Sequence, residues 1–408
     1  MKNGQEGIST AAIVAVVVTV VVVSVVGAVS AVILLNPGGG EQTTTSSAAT
    51  TTSSTATNIT TTSAITTTSQ TTTTPTGTYS GGTIRIHSDD EFTGANGVVR
   101  GSGTQSDPYI IEGWTIDASS CDTSVWPYVE VGIIISQTSK YFVIENCRVE
   151  NSEGYGVGIS LEFGSNGRVQ NCTLRNITTG ITIDSYSNVV ISGNTIENCN
   201  DGISNGTYSS EDVTISNNTI AGCTGVGIDF HYLYNSSASG NTIINNSSGI
   251  RVFDASVCTI SNNIIQGNTY TGIDVGVDMG GFENNIIDNN NTSNNGGEGI
   301  YVTCSNNTIS HNISNGNGYI GIRLDFVGLT DITASYNTVS NNTASNNGMD
   351  GLYVGSGCVY NTISNNTCHS NNTLGQYSDG KPLYYDISIN ALPNTLAGNS
   401  YDTIYIIS

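Results

Sequence analysis

The chain has 408 residues, of which only 10% are charged, and its 32 acidic residues outnumber 10 basic ones, giving a formal net charge of −22. Nucleic-acid binding requires a basic surface that displaces counterions from phosphates, so this balance excludes a nucleic-acid partner. The 9 cysteines lack CxxC spacing and the 4 histidines are scattered, so we expect no metal site and no cofactor.

The N-terminal segment, residues 1–36, contains a long uncharged apolar run. Ile8–Leu35 is long enough to span a bilayer, and positive charge near it occurs only on its N-terminal side, at Lys2 and the amino terminus. The run therefore predicts a single transmembrane helix that leaves the rest of the chain outside the cell. A cleaved secretory signal is the alternative, since Val29-Ser30-Ala31 is a passable cleavage site.

The same N-terminus, MKNGQEGISTAAIVAVVV, resembles archaeal prepilin-type (class III) signals, which are cleaved after a glycine that precedes the apolar helix. The resemblance implies that Ile8 is the first mature residue. It also implies that the helix is either a membrane anchor or an assembly element.

Residues 37–80 form a Ser/Thr-rich segment without apolar periodicity. Such a segment cannot bury a core, and its composition is typical of O-glycosylated stalks. Asn58 opens an Asn-Ile-Thr acceptor for N-glycosylation within it. We expect a disordered linker that holds the next domain away from the membrane.

The rest of the chain repeats one unit of about 24 residues, within the range of periods that indicates a solenoid. Alternating apolar and polar residues between Ser/Asn/Gly clusters are typical of short strands. Two markers keep step with each other. Gly-Ile or Gly-Leu pairs begin at Gly132, Gly158, Gly180, Gly202, Gly227, Gly249, Gly272, Gly299, Gly321 and Gly351. The asparagine markers are Asn146, Asn171, Asn194, Asn218, Asn241, Asn263, Asn285, Asn312, Asn342 and Asn366.

This pattern predicts an all-β fold, a parallel β-helix of about 12 coils. Equivalent residues stack on successive rungs, so the Ile after each corner glycine should join one internal column. Glycine is expected there because a side chain would clash or φ must be positive. We expect an N-terminal cap and first coil over residues 81–130, β-helix repeats over 131–375, and a C-terminal cap over 376–408.

The entry to the repeats resembles a known family. GSGT at residues 101–104 and DPYIIEGWTI at residues 107–116 are similar to the segment that precedes PbH1-type coils in NosD-like right-handed β-helix proteins. The resemblance covers about Thr83–Asn372 and implies that the solenoid is right-handed. The family includes periplasmic factors, surface proteins and carbohydrate-active enzymes, so the resemblance implies no single activity.

The position two residues after each corner glycine predicts an outward ladder that holds candidate catalytic residues. Asp229, Arg251 and Asp274 fall on successive rungs, which separates the backbones of the two aspartates by about 9–10 Å. His231 leaves the same strand and face as Asp229. Such a set suits glycoside hydrolysis by paired carboxylates, or polysaccharide β-elimination. The alternative is an ion ladder that only stabilises neighbouring rungs.

Tyr301 and Tyr353 lie on the same ladder and are candidates for ligand binding by stacking on sugar rings. The sequence favours a membrane-anchored extracellular glycoprotein on an archaeal envelope, acting as a non-catalytic surface or carbohydrate-binding protein. The alternatives are an extracellular polysaccharide lyase or glycoside hydrolase, and a filament or envelope-assembly subunit. The expected partners are the membrane and a polysaccharide or envelope glycan, with the oligomeric state left open. The expected glycosylation sites are Asn58, Asn171, Asn176, Asn205, Asn235, Asn245, Asn290 and Asn371.

Overall fold

The computed structural model describes residues 77–80, 82–121, 123–124, 129–152, 154–277, 283–326, 332–375 and 384–407. The expected transmembrane helix at Ile8–Leu35 lies outside the described residues, as do Asn58 and nearly all of the Ser/Thr-rich segment. Within the described part of the chain, no helix has the length and apolar composition that a membrane crossing requires.

Three ladders of parallel strands form the sides of a solenoid, which confirms the predicted all-β parallel β-helix. The first ladder contains Gly77–Thr78, Trp114–Asp117, Arg148–Glu150, Thr173–Arg175, Thr195–Glu197, Thr219–Ala221, Thr242–Ile244 and Ile264–Gln266. The second contains Ile84–Ile86, Val131–Ser136, Val157–Ser165, Thr179–Ser192, Asp201–Asn205, Val226–His231, Ser248–Phe253, Ile273–Gly276, Ile300–Val302, Ile322–Leu324, Leu352–Val354, Ile387–Ile389 and Ile404–Ile406.

The third ladder also receives the end of Thr179–Ser192, which runs unbroken around the corner between two sides. Its other strands are Tyr109–Glu112, Phe142–Glu145, Gly167–Gln170, Ser210–Ser216, Leu233–Tyr234, Ser237–Ser239, Thr259–Ser261, Ile286–Asp288, Thr308–Ser310, Thr338–Ser340, Thr362–Ser364 and Thr395–Ala397. Thr367–Cys368 pairs separately with Ser400–Tyr401. Three short 3-10 helices occur at Asp89–Glu91, Gly94–Asn96 and Ala118–Ser120.

The internal column lies where the sequence predicts it. Its isoleucines pair in register from rung to rung and are buried: Ile133, Ile159, Ile181, Ile203, Ile228, Ile250, Ile273, Ile300 and Ile322. The preceding glycines are required by close packing. A Cβ on Gly180 would stand 2.6 Å from the carbonyl oxygen of Gly202 and 2.7 Å from the side chain of Ile196. The alternative explanation, a positive φ, does not apply to Gly180.

Three ladders of buried asparagines run beneath the corners of the solenoid. Asn241 is typical: its Oδ1 accepts from the backbone N–H of Asn218 at 2.9 Å and from Nδ2 of Asn218 at 3.0 Å. Its own Nδ2 donates to the carbonyl of Ile215 and to Oδ1 of Asn263. Each ladder therefore satisfies backbone amides at a turn where no strand partner is present.

The first asparagine ladder contains Asn194, Asn218, Asn241, Asn263, Asn290, Asn312, Asn342, Asn366 and Asn399. The second contains Asn246, Asn268, Asn295, Asn317, Asn347 and Asn371 and ends on Asp386. The third contains Asn285, Asn307, Asn337, Asn361 and Asn394.

Three of the sequence-derived markers do not belong to the first asparagine ladder. Asn146 and Asn171 adopt left-handed backbone, with φ of 54° and 53°, and lie in turns outside it. Asn285 belongs to the third ladder. The buried position beside Asn171 is held by Cys172, whose N–H donates to Oδ1 of Asn194 at 2.9 Å.

The parallel pairing continues into both segments expected to be caps. Ile84–Ile86 pairs with Val131–Ser136, and Ile404–Ile406 pairs with Ile387–Ile389. Trp114 donates its indole N–H to the carbonyl of Gly97 at 2.8 Å, which fixes the chain that precedes the repeats.

Candidate functional site

The outward face of the second ladder carries a continuous row of polar and aromatic side chains, which we call the outward ladder. Its members pair in the predicted register on successive rungs: Asp229, Arg251, Asp274, Tyr301, Arg323 and Tyr353. With about 4.8 Å between strands, these six rungs cover about 24 Å along the solenoid. Arg251 shows how alternation holds the row on the surface, because the neighbouring Ile250 and Val252 both point inward.

Asp229 and Arg251 form a bidentate ion pair. Nε of Arg251 donates to Oδ1 of Asp229 at 2.9 Å, and Nη2 contacts Oδ2. The Asp229 side chain is buried, whereas that of Arg251 is 42% exposed. The hydrogen bonds to Asp229 raise the pKa of Arg251. The pair makes one of the two contacts of an Asp–Arg–Asp ion ladder, with both charges neutralised.

Asp274 differs from Asp229 because it makes no ion pair within the described residues. Burial raises the pKa of its carboxyl to about 6, while the Arg251 charge opposes the rise and the Glu298 charge adds to it. A carboxyl that titrates near neutral pH can give or accept a proton, which a normal aspartate does poorly. Asp274 thus has the protonation behaviour that a general acid or base needs near neutral pH.

Arg323 is held by two carboxylates and two rings. Its Nη1 donates to Oε1 of Glu298 at 2.9 Å, and its Nη2 to Oδ2 of Asp325 at 2.6 Å. The guanidinium carbon lies 4.9 Å from the ring centroid of Tyr301 and 5.9 Å from that of Tyr353. The predicted ligand-binding tyrosines therefore enclose an arginine between them, which fixes both rings through cation–π contacts.

Sequence reasoning missed the roles of Glu298 and Asp325. Asp325 lies two residues beyond Arg323, directly after the strand Ile322–Leu324, so alternation alone could have placed it beside the guanidinium. Glu298 directly precedes the corner glycine Gly299 on the previous rung, so the register of the corner glycines could have placed it near Arg323.

His231 does not join Asp229, Arg251 and Asp274. Its Nε2 lies 3.9 Å from Oδ2 of Asp254, and its ring stacks on Tyr232 with centroids 4.0 Å apart. The strand ends at His231, and Tyr232 adopts a φ of 54°, so the chain turns the corner at this point. The four predicted catalytic candidates are therefore divided between an ion pair, a separate carboxyl and a corner histidine.

The expected glycosylation sites within the described residues differ in exposure. Four are exposed: Asn171, Asn176, Asn235 and Asn245. Asn205 and Asn290 are buried, and their Nδ2 atoms donate to backbone carbonyls, so a glycan on either is incompatible with the folded solenoid. Asn371 is partly buried and donates through Nδ2 to Asp386.

Within the described residues, no group of three or more His, Cys, Asp or Glu side chains is arranged to hold a metal ion. The 9 cysteines are buried and unpaired. No cofactor-binding arrangement follows from either set of residues.

Residues 131–285 and 274–408 match the protein-family model for the right handed beta helix region. The chain belongs to this family. The match spans most of the solenoid and makes it a right-handed β-helix, as the resemblance to NosD-like proteins implied. No match to a curated protein is found by sequence comparison.

Solved structures of low sequence identity share the fold of this right-handed β-helix. The A-module of the Azotobacter vinelandii mannuronan C-5 epimerase AlgE6 is 16% identical with a TM-score of 0.55, covering 73% of this chain and 86% of that chain. The A-module of the Azotobacter vinelandii mannuronan C-5 epimerase AlgE4 is 15% identical with a TM-score of 0.49, covering 73% and 89%. At 16% identity the likeness to the AlgE6 module shows the fold alone.

Proposed function

We propose that the chain is a non-catalytic, carbohydrate-binding surface protein that holds a neutral glycan along the outward ladder. The observation that carries the proposal is the pairing of both arginines of the ladder. Arg251 is held by Asp229, and Arg323 is held by Glu298 and Asp325. With both guanidinium charges already compensated, the six residues of the outward ladder offer no unpaired cation to an acidic sugar.

Exposed tyrosines supply the apolar contact area for such a glycan. Tyr270 and Tyr319 lie two residues before Gly272 and Gly321, just ahead of the strands that carry Asp274 and Arg323, and are 61% and 46% exposed. Gly297 occupies the rung between them and hydrogen-bonds to both backbones at 3.1 Å. Tyrosine offers a large rigid surface at low conformational-entropy cost, so this pair can stack on sugar rings.

Binding to a panel of neutral and acidic polysaccharides tests the proposal, with Tyr319→Ala as the site variant. Loss of an exposed binding tyrosine should raise the dissociation constant by about 10-fold or more. Tyr336→Ala is the matched control, because Tyr336 is also exposed but stacks on Tyr360 at another corner. Equal losses in the two variants, or no binding by the native chain, would contradict the proposal.

A polysaccharide lyase or glycoside hydrolase is the second candidate, and the raised pKa of Asp274 favours it. Asp274 would act as a general acid or base toward a glycan on the ladder. A glycoside hydrolase mechanism that needs two free carboxylates is disfavoured, because Asp229 is bound to Arg251. Release of sugar fragments by the native chain, abolished in Asp274→Asn, would establish the enzyme and displace the binding proposal.

We further infer a NosD-like envelope protein, anchored by Ile8–Leu35 and displayed outside the cell. The apolar run, the N-terminal position of Lys2 and the exposed acceptors such as Asn176 and Asn245 support this placement. Assembly into a filament is the alternative use of the same apolar segment. Protease added to intact cells should release the solenoid by cleaving residues 37–80, whereas an intact chain that sediments as a polymer would favour the filament.

A further inference from the structure

A serine, a histidine and an aspartate are joined by hydrogen bonds at the C-terminal end of the solenoid, on a strand pair separate from the outward ladder. Nε2 of His369 lies 2.8 Å from Oγ of Ser400, and Nδ1 of His369 lies 2.9 Å from Oδ1 of Asp402. The second oxygen of Asp402 accepts the backbone N–H of Ser370 at 3.2 Å. We propose that these three residues form a second site that hydrolyses carboxylic esters.

The strand register explains how the three side chains meet. Thr367–Cys368 pairs with Ser400–Tyr401 in parallel, with Cys368 opposite Tyr401, so the next residues, His369 and Asp402, face each other. Ser400 and Asp402 are two residues apart and point to the same side of the strand. The imidazole therefore bonds directly across to Asp402 and diagonally back to Ser400.

The hydrogen bonds define the tautomer that catalysis needs. An ionised carboxylate can only accept, so Nδ1 of His369 carries the proton that Asp402 receives. Nε2 of the neutral ring is then an acceptor and takes the Ser400 hydroxyl proton. This is the arrangement of nucleophile, base and positioning residue that activates a serine in acyl transfer. The interaction with His369 lowers the pKa of Asp402, which keeps the carboxylate ionised.

The reaction follows from these roles. Oγ of Ser400 bonds to the ester carbonyl carbon while its proton passes to Nε2 of His369. The bond to the alcohol then breaks, and the alcohol leaves with that proton while the acyl group remains on Ser400. A water molecule gives a proton to His369 and bonds to the acyl carbon, after which the carboxylic acid departs and Ser400 regains its proton.

The surroundings indicate an uncharged ester. Ser400 is exposed on its strand, so a bulky alcohol can remain in solvent. A cavity of about 500 Å³ adjoins Asp402 and is lined in part by Ser370, Tyr384 and Thr403. The net charge of −22 repels anionic substrates. Polysaccharides that carry acyl esters have this chemistry, but the site does not depend on sugar binding at the outward ladder.

Hydrolysis of p-nitrophenyl acetate by the full chain, with a fluorophosphonate label mapped by mass spectrometry, tests the proposal. The native chain should hydrolyse the ester about 100-fold or more faster than Ser400→Ala, and the label should map to Ser400. Asp402→Asn should lower kcat about 10-fold or more with KM unchanged, a split that a purely structural residue does not produce.

Ser310 provides the matched control. It is followed by His311, and Oδ1 of Asp288 lies 2.9 Å from Nδ1 of His311, but the hydroxyl of Ser310 donates to Asp288 at 2.6 Å. Ser310→Ala should therefore leave hydrolysis unchanged. Equal rates for the native chain and Ser400→Ala, or labelling that is not confined to Ser400, would overturn the proposal. Peptide mapping on the native chain gives this answer even if a variant fails to fold.

Discussion

Asp274 and Asp229 have equivalent positions on the solenoid and yet differ in chemistry. Asp229 is buried against the guanidinium of Arg251 and accepts two hydrogen bonds from it. Asp274, on the other side of the same arginine, lacks such bonds, so burial raises the pKa of its carboxyl to about 6. Two aspartates at the same register position thus have different roles because a single arginine bonds to only one of them.

Asp274→Asn should remove a pH dependence of folding. A carboxyl with a raised pKa binds its proton more tightly in the folded chain, so the free energy of unfolding falls as pH rises from about 4 to about 6. The variant cannot ionise and should be more stable than the native chain above pH 7, by about 1–2 kcal/mol after allowance for partial exposure. Below pH 4 the two chains should be equally stable in urea denaturation.

Asp229→Asn is the control variant for this prediction, because we expect it to change stability in the opposite direction. It removes the ion-pair partner of Arg251, so it should lower stability at neutral pH. Stabilisation by Asp229→Asn, or a pH profile of Asp274→Asn identical to that of the native chain, would contradict the roles given to the two carboxyls.

The sequence predicted the positions of single residues along the ladder better than their contacts. The register placed Asp229, Arg251 and Asp274 in order, because an in-register ladder repeats with the period of the corner glycines. The same register did not predict that His231 would stack on Tyr232, since left-handed backbone at Tyr232 ends the strand alternation at that corner. Such local turns depend on side-chain packing that the period does not encode.

At the scale of the coil, the asparagine ladders stabilise the turns and the isoleucine columns stabilise the interior. Each ladder asparagine bonds to residues on both neighbouring rungs, so the side chains join coils that are remote in sequence. The backbone N–H of a cysteine donates to the first asparagine at the start of each ladder, as at Cys172, Cys223 and Cys258. A small buried side chain therefore suffices where the ladder begins, because only its backbone donates.

Asn241→Ala should lower the free energy of unfolding by about 3–5 kcal/mol. The change removes the acceptor of the backbone N–H of Asn218 and the side-chain donor to the carbonyl of Ile215, at about 1–3 kcal/mol for each buried group affected. Nδ2 of Asn218 loses one of its two acceptors and still donates to the carbonyl of Ile191. Chemical denaturation of the purified chain measures this loss. Asn245→Gly is the control, because Asn245 is exposed with a φ of 57°, a conformation that glycine adopts freely. Equal losses in the two variants would show that the buried ladder contributes no more than a turn.

The sequence predicted the inward isoleucines of each coil correctly and the ladder asparagines less well. Gly-Ile pairs mark both a close backbone approach and the start of the inward column, so the nine isoleucines were placed correctly. An Asn-Asn dipeptide holds one left-handed turn residue and one buried ladder residue, as in Asn217 and Asn218. The period cannot tell a turn asparagine from a ladder asparagine. Asn146 and Asn171 were therefore taken for the ladder position, although both are turn residues and Cys147 and Cys172 hold the buried position beside them.

Charge acts at the scale of the whole molecule. The chain has 10 basic residues against 32 acidic ones. The arginines of the outward ladder are both engaged with carboxylates, and Arg148 and Arg175 share Glu150 in the first ladder. Long-range repulsion therefore acts on any anionic polymer that approaches these faces.

This distribution of charge predicts opposite salt responses for neutral and acidic glycans. The affinity for a neutral polysaccharide should change little between about 0.05 and 0.5 M salt, because contacts with tyrosine rings are insensitive to screening. An acidic polysaccharide should bind weakly at low salt and several-fold better at high salt, as the Debye length falls from above 10 Å to below 8 Å. Titration calorimetry at the two salt concentrations measures both. Affinity for the acidic chain that decreases with salt would reveal a local cationic site and would contradict the neutral-glycan assignment of the outward ladder.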